Sequence, residues 1–104
     1  MIRASVFYPY SPGATFDYTY YAQKHCPMVV EKLRAFGCVR IDIDKGVEGG
    51  TPDAPVLFVT VGHIIIQSLE GFHQGMAAHG QEFLSDVPNY TNITPQIQVS
   101  EMLT

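Results

Sequence analysis

The sequence predicts a single α+β domain ordered βαββαβ, the split ferredoxin-like arrangement with a four-stranded antiparallel sheet. Three observations carry that prediction. Segments with a hydrophobic period of two alternate with segments of period three to four, in the order strand, helix, strand, strand, helix, strand. Each helical segment opens on a capping residue, Asp17 or Ser68. A chain of 104 residues suits one domain, with a real core and little surplus stability.

The first strand is residues 2–8, where Ile2, Ala4, Val6 and Tyr8 alternate with Arg3, Ser5 and Phe7. Pro9, Ser11, Pro12 and Gly13 end it. A helix then starts at Asp17, with Phe16 set to pack on Tyr21 as a hydrophobic staple. It runs to Phe36, and Gly37 suits the left-handed position that follows a helix. At 100° per residue, Tyr18, Tyr21, Met28, Lys32 and Phe36 project together, and His25 falls in the middle of that stripe. Pro27 removes a backbone donor from the Gln23 carbonyl, so the helix should kink or restart there.

The second strand alternates Val39, Ile41 and Ile43 with Arg40, Asp42 and Asp44. A loop rich in glycine and proline, residues 48–55, leads to residues 56–66, which are apolar at both parities and so belong inside the sheet. The second helix presents Leu69, Phe72, Met76, His79 and Phe83, and its Gly71, Gly75 and Gly80 would permit close approach of a neighbour. A last strand follows Pro95, which argues for an edge. The expected spatial order is 4-1-3-2, with both helices on one face. A second copy would cover the other face and close a barrel between two chains.

The composition narrows the function. Six basic residues against ten acidic ones give a net charge of −4 without a basic cluster, so nucleic acid is not an expected partner. The apolar fraction of 46%, with 15% charged residues, points instead to apolar surface covered in a homodimer. No segment is long enough to span a bilayer, and the opening residues lack the pattern of a signal peptide, so a cytoplasmic protein is expected. The histidines lack the spacing of a metal pair, and Gly46, Gly49 and Gly50 lie in a hairpin rather than a phosphate loop. No metal or other cofactor is indicated.

Several stretches together resemble the EthD-like family, named for ethyl tert-butyl ether degradation, within the dimeric α+β barrel superfamily. They are Val6-Phe7-Tyr8-Pro9, Phe16-Asp17-Tyr18-Thr19-Tyr20-Tyr21 leading to His25-Cys26-Pro27-Met28, and Asp86-Val87-Pro88-Asn89-Tyr90-Thr91-Asn92 followed by Pro95-Gln96-Ile97-Gln98. The resemblance implies a dimeric barrel with a cavity. Its superfamily includes cofactor-free monooxygenases and cyclases acting on polyketides, muconolactone isomerases and heme peroxidases. It matches His25 to a histidine of the first helix near the cavity, and Asp86 to an acidic residue after the second. Cys26 departs from the pattern, where a larger apolar residue is expected.

His25 is the candidate catalytic residue, because imidazole titrates near neutrality and can move a proton to or from a polarised carbonyl compound. The alternative is a core histidine bonded to a carbonyl freed by Pro27. Tyr8, Tyr21, His63 and Asp86 are the candidate substrate-binding residues. Tyr8 could equally anchor its strand with its hydroxyl in water. His63 shares the parity of Leu57, Val59, Val61 and Ile65, so its role depends on what that face meets. Cys26 and Cys38 read as small, reduced core residues. The expected function is a small cofactor-independent enzyme of oxidoreductase, monooxygenase or cyclase/isomerase type, acting on a small hydrophobic or aromatic metabolite in a barrel cavity. A non-catalytic ligand-binding or accessory protein is the alternative.

Overall fold

The structure, a computed structural model, describes residues 1–104. Four strands, β1 (Ile2–Pro9), β2 (Cys38–Lys45), β3 (Phe58–Ile66) and β4 (Gln96–Glu101), form one antiparallel sheet in the order β2-β3-β1-β4. This is the predicted order. The proline-led and charge-alternating strands lie at the edges, and both helices pack on one face. No helix is long and apolar enough to cross a membrane.

Asp17 caps the first helix by accepting from the Tyr20 amide at 3.0 Å, and the Phe16 and Tyr21 rings meet at 5.1 Å as the staple requires. Beyond that cap the helix departs from the simple expectation. An α-helical turn Tyr18–Tyr20 passes into a π-helical turn Tyr21–His25, then α-helix Cys26–Leu33 and a 3₁₀ turn Arg34–Phe36. Pro27 stands at the start of the second α-helical piece, where its missing donor costs least. The π-turn inserts one residue, so the inward stripe moves on by one. Val29 and Leu33 are buried where Met28 and Lys32 were expected, and Lys32 lies outside, paired with Glu82 at 3.5 Å.

The second helix, Leu69–Asp86, is capped by Ser68, which accepts from the Gly71 amide at 3.0 Å. It continues into a 3₁₀ turn Val87–Asn89. Two of its glycines have a packing reason: a Cβ on Gly71 would overlap the Phe36 carbonyl, and one on Gly75 would stand 2.5 Å from Leu33 Cδ2. The helices therefore touch almost backbone to backbone. Leu69, expected in the apolar stripe, is 44% exposed at the helix start.

β3 begins at Phe58, two residues later than the apolar run suggested, and Leu57 is exposed. A bulge explains why parity fails there. Tyr8 pairs with Thr60 and Pro9 with Phe58, so Val59 is the extra residue, and it packs against the cluster of Tyr8 and Tyr21. The open face of the sheet carries Ser5, Phe7, Val61, His63 and the β2 aspartates, while the helix face holds Ala4, Ile64 and Ile66 in the main core.

Candidate functional site

The first helix and the segment after the second helix meet at one end of the sheet. The Asp17 amide donates to the Tyr90 carbonyl at 2.8 Å, Phe16 bridges Thr91, and Thr91 Oγ1 donates to the Thr15 carbonyl at 2.6 Å. These bonds hold Tyr90 over the π-turn. Tyr8 reaches the same place from β1, and its ring lies 5.5 Å from Tyr21 and 6.0 Å from Tyr90.

His25 is 7% exposed, and its partner is a carboxylate rather than a carbonyl freed by Pro27. Its Nδ1 lies 2.8 Å from Asp86 Oδ2. The other carboxylate oxygen, Oδ1, accepts from the Tyr20 hydroxyl at 2.7 Å and from Asn89 Nδ2 at 2.9 Å. Burial acts to push the Asp86 carboxyl up, but the hydrogen bonds from Tyr20, Asn89 and His25 outweigh it and hold the group below the ordinary carboxylate range. Asp86 is therefore ionised at neutral pH, and an ionised carboxylate only accepts. Nδ1 must carry the proton. Burial lowers the His25 pKa against the opposing pull of Asp86, so the neutral ring presents a lone pair at Nε2.

Nε2 faces the Tyr90 hydroxyl at 3.4 Å, and that hydroxyl lies 2.7 Å from the Tyr8 hydroxyl. The Tyr8 hydroxyl is thus buried and bonded, not in water. Burial raises the pKa of Tyr8, Tyr21 and Tyr90 above the usual phenol value, so all three are neutral. The Cys26 thiol is pushed up to about 12 by burial and stays protonated. Tyr21 stacks on His25 at 5.6 Å with 15° between the planes.

These groups line a cavity between helices and sheet that offers about 60 Å³ of space to the centres of water-sized molecules. All of these lining residues come from one chain. The walls are Val6, Val29, Ile41, Ile64 and Phe72, and no lysine, arginine or carboxylate lines it. Leu84 and Ile97, 57% and 48% exposed, stand at its rim.

Of the residues expected at the site, His25, Tyr8 and Tyr21 line this cavity together, and Asp86 stands behind His25. His63 is elsewhere. Sheet parity puts it on the open face, where Nδ1 meets Ser5 Oγ at 2.8 Å and Nε2 meets Asp44 Oδ2 at 3.1 Å. Tyr90 and Tyr20 were not identified as site residues from the sequence. The four-residue step from Asp86 to Tyr90 was the available signal, because a helical continuation would put the two on one side.

No protein-family model matches the chain, and no curated protein does. Solved structures do. A dimeric ferredoxin-like protein from an uncultured marine organism has a TM-score of 0.62 at 12% identity, covering 100% of this chain and 96% of that one. An ethyl tert-butyl ether degradation family protein from Bacillus halodurans C-125 has a TM-score of 0.66 at 16% identity, covering 99% of each chain. At those identities the likeness is one of fold. An EthD-like protein from Ralstonia eutropha JMP134 has a TM-score of 0.92 and covers 99% of this chain and 92% of that one. Because that last match is 41% identical over nearly the full length, the chain belongs to the EthD-like family.

Proposed function

We propose that this protein is a small cofactor-independent enzyme that moves a proton on an uncharged, hydrophobic carbonyl or aromatic compound, with His25 Nε2 as the base. One observation carries the reading: an ionised Asp86 fixes the tautomer of a buried histidine so that its Nε2 lone pair, met only by the long 3.4 Å contact of the Tyr90 hydroxyl, faces an apolar cavity. A core built for packing alone has no use for that arrangement. The absence of a lining cation argues against carboxylate or phosphate ligands. At 10–15 Å³ per water of such space, the cavity corresponds to about four to six waters, roughly one six-membered ring. A larger ligand would project past Leu84 and Ile97.

A carrier of the same compound is the competing reading, favoured by the apolar walls. Deuterium uptake separates the two. A panel of enolisable aryl ketones and β-diketones is incubated with the protein in D₂O, and exchange at the acidic carbon is followed by NMR. The enzyme reading expects exchange in wild type and its loss in His25→Gln, with ligand still retained. Exchange unchanged by that substitution would refute it.

The open sheet face, with the Phe7 and Phe58 rings 5.1 Å apart, supports a homodimer, in keeping with the dimeric relative of the same fold. Sedimentation at micromolar concentration tests it.

A further inference from the structure

We infer that Tyr90 is a second catalytic residue of this site, the donor that receives a ligand's oxygen once His25 has taken its proton. The inference rests on the role proposed for His25. Because Nδ1–H is committed to Asp86, Nε2 of the neutral ring can only accept, so the Tyr90 O–H is the donor across 3.4 Å. Tyr8 then donates to the Tyr90 oxygen at 2.7 Å. The hydrogens run one way, from Tyr8 through Tyr90 to His25. The last link is long for a hydrogen bond, so little is lost when the Tyr90 hydroxyl turns away from Nε2.

A ligand with an acidic C–H or O–H beside Nε2 changes this order. Its bond to hydrogen breaks, the electron pair stays on the ligand and comes to rest on oxygen, and an N–H bond forms at Nε2. The imidazolium is stabilised by ionised Asp86. Nε2 has now become a donor and can no longer accept from Tyr90. The Tyr90 O–H must find another acceptor, and the new negative oxygen is the one the cavity contains. Only a hydroxyl rotor turns. The hydrogen bond strengthens as charge develops on that oxygen, so it favours the charged state over the neutral ligand. Tyr8 keeps the Tyr90 oxygen satisfied throughout.

The test uses 4-nitrophenol, whose anion has its own absorption band, at a pH where the free compound is protonated. Wild type is expected to bind it and show the phenolate band, and His25→Gln to lose that band. Tyr90→Phe is expected to weaken phenolate binding by about ten- to a hundredfold, the value of a hydrogen bond to a charged group. Circular dichroism and a thermal melt of each variant control for folding. Equal phenolate yield in wild type and Tyr90→Phe overturns the role of Tyr90 and leaves His25 standing. Absence of the band in wild type overturns both. If Tyr90→Phe fails to fold, wild type labelled at tyrosine Cζ answers the same question: a Tyr90 resonance that does not move as the phenolate binds overturns the inference.

Discussion

Gly62 ties the sheet to the site through a single clash, and replacing it with alanine tests that link. A Cβ there would overlap the Tyr21 hydroxyl, while the next nearest atom, Tyr21 Cζ, stands at 3.4 Å, ordinary contact. Overpacking of this kind costs about 1–3 kcal/mol. Loss of glycine freedom in the unfolded chain returns about 0.4–1 kcal/mol. Gly62→Ala should therefore destabilise by about 1–2 kcal/mol, a fall in Tm of roughly 5–15 °C for a domain of this size. Tyr21→Phe alone loses about 1 kcal/mol with its hydroxyl. Together the two changes remove the clash, so the double variant should be more stable than the sum by about 1–2 kcal/mol. Urea denaturation of the four proteins of the cycle measures the coupling. Additivity to within about 0.5 kcal/mol would refute the packing argument.

Three further outcomes follow from the geometry. His25 is held below its ordinary value, so between its folded value and about 6.5 the unfolded chain binds a proton that the folded chain does not, and stability falls as pH drops through that window. Asp86, also depressed, adds stability that is present above about 3.9 and lost as pH falls through its folded value. Urea midpoints should therefore decline from pH 7 to 5.5 more steeply in wild type than in His25→Gln; parallel slopes would count against the buried neutral imidazole. Leu33→Ala should cost about 2–5 kcal/mol and Lys32→Ala less than about 1 kcal/mol, and the reverse order would refute the one-residue shift of the stripe. Deleting exposed Gln23 while replacing Pro27 with alanine should give a regular first helix with Val29 and Leu33 still inward, at least as stable as wild type by thermal melts. Its His25 Nδ1–H signal should shift as the contact with Asp86 changes, and a melt far below wild type would show that the π-turn is needed for folding.

Legibility in the sequence divided along physical lines. Caps, turns and strand order depend on short-range chemistry, so Asp17, Ser68, Gly37 and the edge proline were readable and the topology followed. Phase along the first helix was not, because a fixed 100° per residue cannot anticipate an inserted residue, and the error appears downstream as Lys32 for Leu33. Parity in β3 failed for the same reason at the Val59 bulge. His25 was visible as an inward histidine, and the family resemblance drew attention to Asp86. Their mutual bond was not visible, since it joins groups 61 residues apart through two helix ends. Tyr90 was hidden by a 3₁₀ turn that the proline in residues 86–90 made look like a stop.

Both helices break their regular geometry at the site, the first by a π-turn at Tyr21–His25 and the second by a 3₁₀ turn at Val87–Asn89. A histidine, a carboxylate and the hydroxyls of Tyr8, Tyr20 and Tyr90 meet there in one hydrogen-bonded cluster, with Tyr21 stacked on His25, and no buried side-chain polar atom is left without a partner. Each of these groups is satisfied by another member of the cluster rather than by the surrounding backbone, except where Asp17 and Thr91 pin the loop. A fully satisfied buried network of this kind rigidifies its members. Deviations of this kind concentrate where a chain serves chemistry as well as stability. That convergence, more than the presence of one inward histidine, is what supports the proposed role of the cavity.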